Sequence, residues 1–164
     1  MKEIYNMKQK KQKKEIVTIS NYQKLAMRTC LPSCKNKEYA YWGFKSEYAE
    51  LESKMYGLKA KQIRGDSEEK LDEIEKSIID EIGDCFWFIA LQCVLFKKSF
   101  EKLYKIKTTS VNGSIELDIK QHIEVLKSLC LVYMLQPINC MKRNIAKLSC
   151  RKERGVLKGN GDDR

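Results

Sequence analysis

Apolar residues recur at steps of three and four along most of this chain, the spacing of one face of an α-helix. The clearest stripe lies between about residues 38 and 62 and consists of Ala40, Phe44, Tyr48, Leu51, Met55 and Leu58. No pair of segments shows the apolar–polar alternation of paired strands. Only two prolines interrupt the helical pattern. The sequence therefore predicts an all-α protein, most simply a bundle of four or five helices.

Short segments rich in turn-forming residues separate the predicted helices. A short helix is expected over residues 20–29, and "RGDS" ends the long helix that contains the first stripe. A third helix follows and continues until its stripe fades near Lys107. After the loop "TTSVNGS", a helix is expected over residues 116–134, and Pro137 suits the first turn of a last one.

The formal net charge of +10 is concentrated at the two ends of the chain. Residues 1–14 contain six lysines and one glutamate, whereas residues 142–164 contain eight basic and three acidic residues. We therefore expect a flexible basic arm over residues 1–15. Residues 16–164 are expected to form one all-α domain with an irregular basic tail. Such ends can bind nucleic acid or an anionic substrate, and a solvated arm is the simpler interpretation of the first.

The cysteines and the overall hydropathy bear on cellular location. The chain has seven cysteines and no apolar export signal, which is typical of reduced thiols in the cytoplasm. No run of ~18 uncharged apolar residues is present, so no membrane span is expected.

Two pairs of acidic residues lie on predicted helices beside apolar stripes. In "IIDEIGDCFWFIALQ", Glu81 and Asp84 are three residues apart, about 60° around a helix. In "GFKSEYAELESK", Glu47 and Glu50 have the same spacing and the same position beside the stripe. If the two stripes pack together, all four carboxylates converge.

Four converging carboxylates would repel one another strongly where the dielectric is reduced. A divalent cation would offset this repulsion, and an all-oxygen ligand set favours Mg²⁺, with Mn²⁺ as an alternative. Magnesium held by a few carboxylates commonly binds substrate phosphates. The alternative is that both pairs are ordinary solvated helix surface, because acids three residues apart are frequent on exposed helices.

The two acid pairs, taken in order, resemble the hallmark of the MazG-like nucleotide pyrophosphohydrolases. In that all-α family an E-x-x-E helix precedes an E-x-x-D helix, the latter in an "EIGDVLWY"-like setting. The segment "NIAKLSCRKERGVLKGNGDDR" is also similar to the family, so the resemblance covers roughly residues 20–164. It implies that Glu47, Glu50, Glu81 and Asp84 hold Mg²⁺ and carry catalysis.

The resemblance implies cleavage of a nucleoside triphosphate to a monophosphate and pyrophosphate. The leaving pyrophosphate requires cations, and Asn144 and Lys147 on the last helix are expected to reach the nucleotide. Arg151, Arg154 and Arg164 are weaker candidates that could equally be surface charge. Aromatic candidates for stacking on the base are Trp42, Phe86, Trp87 and Phe88, although Trp87 and Phe88 are better explained as core.

Two other functions are compatible with this sequence. One is a helical nucleic-acid-binding protein that uses its basic ends, although no recognised nucleic-acid motif is present. The other is an inactive MazG-like interaction protein. Family members often form dimers or tetramers, and the long apolar stretch "CFWFIALQCVLF" is in keeping with a homo-oligomer here as well.

Overall fold

The computed structural model describes residues 15–157, and these residues form six α-helices and no strand. The helices are α1 (Ile19–Met27), α2 (Lys37–Arg64), α3 (Glu68–Leu95), α4 (Phe100–Lys105), α5 (Ser114–Val132) and α6 (Pro137–Glu153). The predicted all-α bundle is therefore confirmed. The predicted arm over residues 1–14 and the end of the tail, residues 158–164, lie outside the described residues.

Helix α3 is the central element of the bundle. It packs against α1, α2, α5 and α6. Every residue from Cys85 to Cys93 is buried within the single chain. A helix that is apolar on all sides is expected to lie inside a protein. The apolar stretch that suggested an oligomer is therefore explained by the monomer's own core, and it no longer supports self-association.

The link between α2 and α3 folds these two long helices into a hairpin. Gly65 adopts the left-handed conformation with φ of 71°, and its N–H and that of Asp66 bond back to Gln62 and Lys61. This hydrogen-bonded turn ends α2 and reverses the chain, and glycine adopts it without steric cost. Residues at nearly equal distances along the chain from Gly65 therefore lie beside each other. Glu50 and Glu81 are such a pair.

The third helix is shorter than its apolar stripe predicts. It ends at Leu95 rather than near Lys107, and the short helix α4 begins at Phe100. Lys97 takes the left-handed conformation with φ of 55°, and the Lys98 N–H donates to the Cys93 carbonyl at 2.7 Å. The bundle therefore has one helix more than the upper number expected from sequence.

Helix α6 approaches α3 very closely at Gly83. A Cβ atom added there would lie 2.8 Å from the Cys140 carbonyl oxygen and 2.9 Å from the Asn144 Cβ. Asp80 lies one turn before Gly83 on α3, and it forms a two-pronged salt bridge with Arg143 of α6, at 2.6 and 3.0 Å. The glycine and the salt bridge together place the inner face of α6 directly against Asp84.

The end of α1 is attached to α3 by hydrogen bonds from a tryptophan. The Trp87 indole N–H donates to the Ala26 carbonyl and to the Thr29 hydroxyl, both at 3.1 Å. This contact positions the connector between α1 and α2, which contains a short 3₁₀ turn over Pro32–Cys34.

Two further features concern the whole described region. All seven cysteines are free thiols, and all except Cys150 are buried. Within residues 15–157 no helix is both long and apolar enough to cross a membrane.

Candidate active site

Three of the four predicted carboxylates converge where α2 packs on α3. Glu47, Glu50 and Glu81 each contribute one carboxylate oxygen to a group whose members all lie within 4.8 Å of one another. We call these three residues the acidic cluster. Glu81 is only 2% exposed, and Glu47 and Glu50 are half-buried. Three of the four carboxylates expected to converge are thus close together, and Asp84 does not belong to this group.

A lysine that the sequence reasoning missed supplies positive charge to the cluster. Lys54 lies one turn after Glu50 on α2, and its Nζ contacts the Glu81 Oε1. Sequence spacing could have identified it, because residues 47, 50 and 54 share one helix face. A buried carboxylate requires such a partner, since an unpaired charge away from water is strongly destabilising.

Unlike Glu81, Glu47 has no salt bridge to a lysine within the described part of the chain, and its pKa is strongly raised. Burial, a hydrogen bond with Glu81 and the neighbouring charges of Asp84, Glu81 and Glu50 raise the pKa of Glu47 to about 9. Its Oε2 atom is buried and has no hydrogen-bond donor among residues 15–157. Glu47 therefore carries a proton at neutral pH in the metal-free protein.

Asp84 faces α6 instead of joining the cluster. It accepts hydrogen bonds from the Asn144 Nδ2 and the Lys147 Nζ, both at 2.5 Å. Burial raises the pKa of Asp84, and the charge and hydrogen bond of Lys147 oppose that shift. Two residues expected to bind substrate are thus in direct contact with a predicted metal ligand.

A cavity of about 430 Å³ lies next to the acidic cluster, and Glu47 belongs to both. This volume is within the range of ~300–1,000 Å³ typical of small-molecule sites. Its lining combines carboxylates, aromatic rings and arginines: Thr29, Leu31, Cys34, Tyr39, Glu47, Asp84, Trp87, Phe88, Leu148, Arg151, Arg154, Val156 and Leu157.

The remaining residues singled out from sequence divide between the cavity and other places. Arg151 and Arg154 line the cavity, and so do Trp87 and Phe88, although both aromatic rings are also largely buried in the core. Phe86 is fully buried and Trp42 is 67% exposed, and neither lines the cavity. Arg164 lies outside the described residues.

The raised pKa of Glu47 predicts that the metal-free protein becomes less stable as the pH rises. The folded protein retains this proton up to about pH 9, whereas the unfolded chain releases it near 4.5. Between these values the folded state binds more protons, so rising pH favours unfolding. We expect the melting temperature of the unaltered protein, measured in EDTA, to fall between pH 6 and 8.5. The melting temperature of Glu47→Gln should fall less steeply over the same range.

The comparison of the two proteins isolates Glu47 from other titrating groups. His122, whose pKa is lowered mainly by burial, has the opposite effect on stability near pH 6 but is present in both proteins. Identical slopes in Glu47→Gln and the unaltered protein would show that Glu47 does not carry a proton in the folded state.

No family model, no curated protein and no solved structure matches this chain. The resemblance to the MazG-like family therefore rests only on the two acid pairs and the C-terminal segment described above.

Proposed function

We propose that this protein is a Mg²⁺-dependent nucleoside triphosphate pyrophosphohydrolase of the MazG-like type. Its substrate would be an NTP or dNTP, and its products the corresponding monophosphate and pyrophosphate. The observation that best supports this proposal is the acidic cluster bordering a cavity that also contains arginines and aromatic rings. The sequence resemblance to the MazG-like family supports the same reaction.

The residues of the acidic cluster fit a hard divalent cation. Mg²⁺ prefers oxygen ligands at ~2.0–2.1 Å, so oxygens bound to one ion lie about 3–4 Å apart. The cluster oxygens lie within 4.8 Å of one another, and small side-chain rotations would bring them to those distances. Glu47, Glu50 and Glu81 would hold the ion, and Asp84 is the nearby fourth candidate.

A bound metal ion would also offset the repulsion between the carboxylates of this site. Glu47 has to give up its proton before its oxygen can ligate, and a neighbouring dication favours that ionisation. A bound Mg²⁺ would offset the negative charge of the phosphates and activate a water for attack on phosphorus.

The cationic side chains of α6 and its C-cap are suited to the phosphates. Lys147 is held by Asp84, and Arg151 and Arg154 line the cavity on the same side. Guanidinium groups bind phosphate oxygens through two parallel hydrogen bonds, and an ammonium group adds a point charge. These residues would stabilise the charge that develops on the departing pyrophosphate.

The apolar part of the cavity is suited to the nucleobase. Trp87, Phe88 and Leu148 offer aromatic and aliphatic surface there. Stacking on aromatic rings contributes to the binding of any base, because every base has a π-face. The same surfaces would keep bulk water away from the reacting phosphates.

Self-association and a cytoplasmic location stay predictions. For self-association, the relevant surface is the end of α5, where Leu131, Val132 and Met134 are 78%, 72% and 93% exposed. Contiguous exposed apolar residues of this kind are common at contacts between proteins.

A nucleotide panel tests the proposed reaction directly. The protein is incubated with each NTP and dNTP in Mg²⁺, and pyrophosphate and monophosphate are measured separately. We expect both products in equal amounts from at least one nucleotide, and none in EDTA. Turnover that persists in EDTA, or that releases only orthophosphate, would contradict the proposal. No turnover combined with salt-sensitive binding to a nucleic-acid duplex would favour the binding-protein alternative.

A further inference from the structure

We propose that Lys54 is a built-in counter-ion of the acidic cluster, and that it competes with the divalent cation for Glu81. This inference rests on the metal site of the proposed function and adds a residue that controls how readily that site is filled. Lys54 is therefore a positioning residue of the metal-free protein, which keeps the carboxylates together until a cation replaces its ammonium group.

The contact itself is the first support. The Lys54 Nζ contacts the Glu81 Oε1, and Glu81 is one of the three residues whose oxygens converge. The Glu81 side chain is 3% exposed, whereas that of Lys54 is 24% exposed. The ammonium group therefore enters the cluster from the solvent side. It provides the single positive charge that a buried carboxylate needs.

The Lys54 ammonium group and a metal ion on the same Glu81 carboxylate would lie only a few ångströms apart. An ammonium group donates to carboxylate oxygens at ~2.7–2.9 Å, and Mg²⁺ binds them at ~2.0–2.1 Å. Their like charges repel, and the repulsion is stronger where water is excluded. Filling the site with metal therefore weakens the contact between Lys54 and Glu81 and favours the withdrawal of Lys54.

Lys54 is able to withdraw without disturbing the helix that carries it. Its charge is on a flexible four-carbon stem, and its partial exposure leaves a route to water. An ammonium group is strongly hydrated, so the lysine loses little by turning outward. Glu81 has no comparable freedom, because it lies on the buried central helix α3.

A second observation is a buried polar atom without a partner beside Asp84, which lines the cavity. Asn144 is fully buried and donates to Asp84, but its Oδ1 has no hydrogen-bond partner among residues 15–157. Burying such an oxygen costs free energy unless a ligand or an ordered water donates a hydrogen bond to it. It lies in direct contact with the carboxylate that faces the cavity.

Metal binding without nucleotide tests the inference. We would measure Mn²⁺ binding by titration calorimetry at pH 8 for the unaltered protein, for Lys54→Met and for a control, Lys59→Met. Lys59 is an exposed lysine further along α2 and away from the cluster. Removing the competing charge is expected to tighten Mn²⁺ binding by about tenfold in Lys54→Met, with no change in the control. Unchanged or weaker binding in Lys54→Met would overturn the inference.

Lys54→Arg provides a second variant in case Lys54→Met does not fold. Arginine keeps the positive charge and pairs well with a carboxylate, so Mn²⁺ binding should stay within about threefold of the unaltered protein or weaken. Binding about tenfold tighter in Lys54→Arg would show that the charge at this position is not the competitor.

The two proposals fail in different ways. If the unaltered protein binds Mn²⁺ and releases pyrophosphate while Lys54→Met shows the same affinity, only the role of Lys54 is overturned. If neither the unaltered protein nor any variant binds Mn²⁺, the metal site and the role of Lys54 are both overturned.

Discussion

Replacing Glu81 with glutamine is expected to reduce pyrophosphate release by at least about 100-fold. Glu81 is the most buried member of the acidic cluster, at 2% exposure. The change removes one negative charge from the proposed dication site. It also replaces one carboxylate oxygen with an amide NH2 group, which donates hydrogen bonds and does not bind a metal ion. Both effects weaken metal binding, and with it the neutralisation of the triphosphate.

The fold is expected to survive this substitution, so the effect can be separated from unfolding. Glutamine has nearly the shape of glutamate, and the released Lys54 can turn toward water. Glu73→Gln is a matched control, because Glu73 is an exposed acid on the same helix. Pyrophosphate release should be measured for both variants alongside their melting temperatures. A Glu81→Gln protein that keeps its activity within about threefold would remove the acidic cluster from the mechanism.

Replacing Gly83 with alanine is expected to destabilise the protein by about 2 kcal/mol. The new Cβ would lie 2.8 Å from the Cys140 carbonyl oxygen, which is backbone and cannot rotate away. The two helices would have to separate, which outweighs the preference of a helix for alanine over glycine. For a chain of this size, the melting temperature should fall by roughly 4–8 °C. Asn144 and Lys147 would also move away from Asp84.

Gly57→Ala is the matched control for this experiment. Gly57 is also inside a helix, and its added Cβ would meet only the Ile74 Cδ1, at 3.0 Å. That atom is the end of a flexible side chain, so it can shift while the helix gains from alanine. We expect an unchanged or higher melting temperature. Equal losses in Gly57→Ala and Gly83→Ala would show that the approach of α6 to α3 is not the cause.

The acidic cluster could be predicted because it depends on local spacing and on one readable turn. Glu47 and Glu50 share a helix face by their spacing, and so does Glu81 with its apolar neighbours. Gly65 marks the reversal between the two helices, since glycine is the residue that adopts its left-handed conformation freely. Two amphipathic helices joined by so short a turn have few ways to pack other than side by side.

The end of α3 could not be predicted, because no glycine marks it. The residue in the left-handed conformation there is Lys97, and at the end of α5 it is Met134, with φ of 55° and 51°. Neither residue signals a helix end in a sequence. Tertiary packing explains the turn at Lys97, because Phe100 and Leu103 of the following helix α4 are buried in the core.

The side chains that pair with the carboxylates could not be predicted from sequence either. The pairing of Asp84 with Lys147 joins residues far apart in the chain, and it depends on how closely α6 approaches α3. Helical periodicity identifies which face of each helix is buried, but it does not identify the neighbour that each face meets. For the same reason, the cavity wall formed by the connector between α1 and α2 was not predicted.

Because it lines the cavity, that connector is a place where sequence changes would alter the cavity's shape. The acids at the cavity lie on the long hairpin of α2 and α3, whereas two other lining residues, Leu31 and Cys34, lie on a short segment outside it. Insertions or exchanges in this segment would reshape one wall and leave the carboxylates in place. Selection in nature, or a randomised library restricted to residues 31–35, would therefore change which molecules the cavity admits without rebuilding the hairpin of α2 and α3.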